Sequence, residues 1–194
     1  QGIGFLYEDN LGSGPSTTCY FEKIYASHCN IGMQIDGGNS GSHAIYSSSF
    51  RDVILEYNEK GLIVKNNVHN CTFNNLHLEQ NQRSGEIWGN PIIDIESVFD
   101  DTANGIFFMI SDKMNEAVVS IKNCDSVLQI IEGWNGKLFL SGKYNIPGWP
   151  NTASIYFADF ATGHSNSRFT NYKAGGMYYS VNRGKPEWWD GGTW

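Results

Sequence analysis

The chain has 194 residues with 13 Lys and Arg against 20 Asp and Glu, a net charge of -7 and a pI near 5.1. This length can bury a sizeable core in one domain or two small ones. The few, scattered cations argue against a phosphate-binding surface and hence against a nucleic-acid partner. No apolar run approaches the ~18 residues of a membrane span, so no membrane insertion is expected.

In chain order, the tetrad Gly2-Ile3-Gly4-Phe5 recurs as Gly32-Met33-Gln34-Ile35, Gly61-Leu62-Ile63-Val64 and Ile92-Ile93-Asp94-Ile95, each with apolar second and fourth places. A second column runs through Phe21-Glu22-Lys23-Ile24, Phe50-Arg51-Asp52-Val53 and Phe73-Asn74-Asn75-Leu76. Phe21 to Gly32 and Phe50 to Gly61 are both 11 residues. Phe73 to Ile92 is 19, so about eight extra residues around Trp88 are expected to project as a loop, the usual carrier of binding on a repeat surface. Turns are expected at Gly37-Gly38-Asn39-Ser40-Gly41, Asn66-Asn67 and Asn81-Gln82-Arg83-Ser84-Gly85, because Gly and Asn tolerate positive φ. Less regular strands follow in residues 105–141, then the break Asn145-Ile146-Pro147-Gly148-Trp149-Pro150-Asn151.

Repeats of this length, built from short strands without amphipathic helices, predict an all-β chain: a right-handed parallel β-helix over residues 1–144 and a small C-terminal β unit over 145–194. The first coil is already in register at Gln1 without a cap, which leads us to expect a longer protein upstream. Cys19 and Cys71 precede Phe21 and Phe73 by two places, where the intervening repeat has Ser48. Such a column of small inward groups reads as buried free thiols rather than disulfides.

Strand alternation puts Phe50, Val53 and Leu55 inward and Ile54 and Glu56 outward, and likewise leaves His77 and Glu79 outward. Glu56 and Glu79 then stack about 4.8 Å apart. Paired carboxylates at close spacing suit glycoside hydrolysis, with His77 as a proton carrier, which makes Glu56, Glu79 and His77 candidate catalytic residues. The competing reading is a hydrated acidic face whose repulsion is screened by solvent. Asp94, assigned to the outward place of Gln34 and Ile63, is a further catalytic candidate, and Asp36, Lys65 and Glu96 form an expected charge ladder. Tyr25, Tyr57 and Trp88 offer flat faces for sugar rings or for subunit packing. No spacing of His or Cys fits zinc and no phosphate loop or calcium loop occurs, so neither a metal nor a cofactor is expected.

The chain ends in Lys185-Pro186-Glu187-Trp188-Trp189-Asp190-Gly191-Gly192-Thr193-Trp194. This resembles the K-P-x-W-W-x-G-x-x-W ending of many phage tail and appendage proteins, departing from it at Glu187 and in stopping at the last Trp. With a β-helix upstream, the resemblance implies a phage tailspike of the pectate-lyase-like type: a virion appendage, parallel and homotrimeric, that binds bacterial surface polysaccharide, with or without depolymerase activity in its full form. Trp188, Trp189 and Trp194 are the expected trimer interface, since three tryptophans in a short tail cannot bury themselves. Two other readings stand beside it: a secreted bacterial polysaccharide lyase or glycosidase, and a purely structural trimeric appendage.

Overall fold

The computed structural model describes residues 2–9, 14–38, 44–101, 106–110, 117–130, 137–145, 154–157, 161–163, 177–180 and 185–188. These form an all-β structure of mostly parallel strands, and no helix occurs among them. The strands are β1 (Ile3–Glu8), β2 (Ser16–Thr17), β3 (Tyr20–Ser27), β4 (Ile31–Asp36), β5 (Ile45–Tyr46), β6 (Ser49–Glu56), β7 (Lys60–Lys65), β8 (Val68–Glu79) and β9 (Arg83–Trp88). They continue as β10 (Ile92–Asp101), β11 (Ile106–Ile110), β12 (Val118–Ile130), β13 (Lys137–Asn145), β14 (Ser154–Phe157), β15 (Ala161–Gly163), β16 (Met177–Ser180) and β17 (Lys185–Trp188).

Equivalent strands of successive repeats pair in parallel. One ladder runs β1, β4, β7, β9, β11; another runs β3, β6, β8, β10, β12, β13, β14; short β2 and β5 pair and lead into the start of β8. The register corrects three expectations. Phe5 pairs Met33, so the glycine stacked on Gly32 and Gly61 is Gly4, not Gly2. Leu62 pairs Gly85, so the fourth copy of that column is Ser84-Gly85-Glu86-Ile87, within a strand where a turn and projecting loop were expected. Ile93 and Ile95 pair Cys71 and Phe73, which moves Asp94 beside Thr72 and away from Gln34 and Ile63; Glu86 takes the place assigned to it. Glu96 likewise pairs Asn74 and Lys122, leaving only Asp36 and Lys65 of the expected charge ladder, joined by a 2.8 Å ion pair. The misreading arose because Ile-Ile-Asp-Ile matches the apolar pattern of either column, and pattern alone cannot choose between them.

The long connection also lies elsewhere. Met33 to Leu62 is 29 residues and Leu62 to Gly85 is 23. The excess of six falls between β4 and β5, residues 37–44, where the next repeat joins β7 to β8 through Asn66 and Asn67 alone. Asp9 helps tie this corner, accepting backbone N–H bonds from Ala44 (2.9 Å) and Ser16 (3.3 Å).

The interior is built of columns. Phe21, Phe50 and Phe73 stack nearly parallel at 5.2 and 4.9 Å, with Phe5 edge-on to Phe21 at 5.3 Å. Each fully buried Phe contributes roughly 2 kcal/mol or more from burial, and each ring pair ~1 kcal/mol beyond it. Cys19, Ser48 and Cys71 form the expected small-residue column, with Cys71 buried and all three described cysteines free. Among the described residues, eleven non-glycine positions have positive φ, and ten fall into three columns: Thr18, Ser47, Asn70; Lys23, Asp52, Asn75, Ser97; and His28, Tyr57, Gln80. They mark bends five residues apart, and stacking them carries each bend from repeat to repeat. Two Asn side chains stabilise one bend from inside. Asn58 Oδ1 accepts from Cys29 N (2.9 Å), Asn58 Nδ2 donates to Ala26 O (3.2 Å), and Asn81 Nδ2 donates to Leu55 O (2.8 Å). Beside them a Cβ on Gly32 would lie 2.7 Å from Asn58 Nδ2 and 2.9 Å from Gly61 O, so the column needs glycine there.

In the C-terminal part, β14 pairs β13 in parallel, while β15, β16 and β17 make a separate sheet whose last pair is antiparallel, Met177 facing Trp188.

Candidate functional site

The outward face of β3, β6, β8 and β10 brings four of the sequence candidates together. Tyr25, Ile54, His77 and Phe99 form one column, and Ser27, Glu56, Glu79 and Asp101 the next. They face out because the inward places of the same strands are taken by Ile24, Val53, Leu76 and Val98 and by Ala26, Leu55 and Leu78. Tyr25 is 61 % and Phe99 58 % exposed, which makes the aromatic column a true surface stripe. Phe99 meets the His77 ring edge-on at 4.8 Å.

Each glutamate of the stacked pair is engaged by a neighbour. The Tyr25 hydroxyl donates to Glu56 Oε1, and His77 Nε2 lies 3.0 Å from Glu79 Oε2. The pair therefore presents carboxylates oriented by an aromatic hydroxyl and an imidazole, on a half-exposed face. Tyr57 stands at the bend just past Glu56, exposed and stacked on His28 at 5.3 Å, so its ring extends the same face around the corner.

Asp94 lies nearer the start of β10, among different partners. Lys122 Nζ bridges Asp94 Oδ2 and Glu96 Oε1, both at 2.8 Å. The bonds to Asp94 and then Glu96 raise the Lys122 pKa above its ordinary 10.5. This geometry reads as a cross-strand clamp, with the carboxylate committed to an ammonium.

A third group escaped the sequence reading. Glu86, in the interior of β9, is 2 % exposed and is held by Lys60 Nζ (3.2 Å), Arg83 Nη1 (3.0 Å) and Trp88 Nε1 (3.2 Å). Burial of a carboxylate requires such partners. Trp88 thus ends a strand and orients a buried acid, where a place in a projecting loop was expected. The outward places Gln34 and Ile63 of the same column are buried too, so these strands are covered on both faces. The available signal was the alternation Gly85-Glu86-Ile87-Trp88, which reads as a strand once Leu62 is set against Gly85. Next to this group a cleft of about 580 Å³ is lined by Glu59, Lys60, Gln82 and Arg83.

No protein-family model, curated protein or solved structure matches the chain. Its function must therefore be read from these surfaces. Among the described residues no set of three His, Cys, Asp or Glu side chains is placed to hold a metal ion. Trp188 closes β17, where its backbone faces Met177; Trp189 and Trp194 lie outside the described residues.

Proposed function

We propose that the chain is part of a right-handed parallel β-helix of the phage tailspike type and that its exposed face binds bacterial surface polysaccharide. The observation that carries this reading is the stripe of Tyr25, Ile54, His77 and Phe99 alongside Glu56, Glu79 and Asp101. Sugar rings offer C–H faces to aromatic surfaces and hydroxyls to carboxylates, and the residues of each column, about 4.8 Å apart, repeat both features along a chain of sugars. The parallel stacking of equivalent strands supports the β-helix, and the preference for right-handed crossovers between parallel strands supports its hand. The Trp-rich ending supports assignment to a trimeric virion appendage.

The test is titration of the chain with capsular and lipopolysaccharide-derived oligosaccharides. Binding is expected to weaken about tenfold in Tyr25→Ala and in Phe99→Ala, the ~1.4 kcal/mol scale of one aromatic contact. Absence of binding to every glycan, or binding untouched by both substitutions, overturns the reading. If cleavage accompanies binding, Glu56→Gln and Glu79→Gln decide whether the stacked pair performs it; undiminished cleavage in both removes them.

A further inference from the structure

The cleft beside Glu86 differs from the aromatic face in both chemistry and position. Two of its lining residues, Glu59 and Gln82, lie three residues past Glu56 and Glu79 on the far side of the bend at Tyr57 and Gln80. Lys60 and Arg83 are register partners at the starts of β7 and β9, so Glu59 and Gln82, one residue before each, also stand one strand spacing apart. Its volume of about 580 Å³ falls within the roughly 300–1,000 Å³ of small-molecule sites.

The charges are not evenly spread. Glu86 takes up charge from both cations, and Glu59 is further engaged by Asn30 Nδ2 at 3.0 Å. Among the described residues the Arg83 guanidinium makes one hydrogen bond, through Nη1, and its side chain is 50 % exposed. A guanidinium has five N–H donors in a rigid fork, so among the described residues four are uncommitted at the cleft wall, in a plane already set by a buried acid. Gln82 adds a neutral amide at the same end. The cleft therefore has a donor-rich end at Arg83 and Gln82 and an acceptor, Glu59, about 4.8 Å away along the stack.

We infer that this cleft is a subsite for an acidic sugar residue, its carboxylate paired with Arg83 and Gln82 and its ring hydroxyls donating to Glu59. Planar two-point pairing with a carboxylate is what a guanidinium does best, and a pyranose ring spans about one strand spacing. The inference rests on the glycan-binding reading above and narrows it to polymers carrying hexuronic or similar acids.

The probes are oligosaccharides of alternating hexuronate and N-acetylhexosamine, and the same oligosaccharides with carboxyls reduced to primary alcohols. Calorimetry on the full 194-residue chain is expected to show at least tenfold tighter binding of the acidic form. Arg83→Gln should abolish that preference. Gln82→Ala, which removes no partner of Glu86, should lower the preference about threefold and serves if Arg83→Gln does not fold. Equal binding of the two forms, a preference that survives in Arg83→Gln or, failing that variant, a preference undiminished in Gln82→Ala, overturns the acidic subsite and leaves glycan binding standing. Failure of both forms to bind, with every other surface glycan also refused, overturns the glycan reading and the subsite with it.

Discussion

Asn58 shows how much a single side chain does at a bend. Its amide satisfies Cys29 N–H, Ala26 C=O and Asn81 Oδ1 at once, fully buried beside the glycine column. Asn58→Ala strands an N–H and a C=O in the interior, at about 1–3 kcal/mol each, so a loss of roughly 2–4 kcal/mol is expected. The shift of the urea midpoint at unchanged slope measures it; a shift below ~0.5 kcal/mol refutes the role. Asn58 was not legible as a ladder residue in the sequence, because Asn at a turn is common for its φ tolerance alone. The inward Phe and Cys columns were legible, since the F-x-x-aliphatic pattern has few other readings at strand spacing.

At the scale of strands, β10 and β12 are joined by the Lys122 clamp. The Lys122 pKa is raised in the folded state, so its stabilisation is fully present below the unfolded value near 10.5 and is lost as pH rises through the higher folded value. Tyr7 and Tyr20 are raised as well, by burial and by the Glu22 hydrogen bond respectively, and contribute in the same direction above pH 10. Unfolding midpoints of the native chain should therefore fall more steeply above pH 10.5 than those of Lys122→Met. Parallel pH profiles would show that the clamp adds nothing, as exposed ion pairs often do. Element identity was legible for most strands, whereas their partners were not. Ile92-Ile93-Asp94-Ile95 reads as a strand from alternation, but which column it joins depends on connection lengths that periodicity does not reveal. That one ambiguity moved Asp94, turned β9 into an expected loop and hid Glu86.

For the whole molecule, the proposed appendage is a trimer, and sedimentation equilibrium is expected to return three times the 21.7 kDa chain mass. A stable monomer that cleaves glycans would instead favour the secreted lyase or glycosidase, and a trimer that binds no glycan the purely structural appendage. The all-β class and parallel pairing followed directly from the repeat; the partners of the terminal tryptophans do not follow from a motif of ten residues.

The corner between β4 and β5 has a consequence for how such chains change. Six residues more than in the next repeat are accommodated there, while every strand pair on either side keeps its register. Length thus varies at that corner while the strands on either side of it stay in register. Insertions entering at that vertex leave the stacked interior untouched, so segments of unrelated sequence can be accepted there without refolding the body. A repeat finder that demands a constant period will lose the pattern at the same place where variation is cheapest.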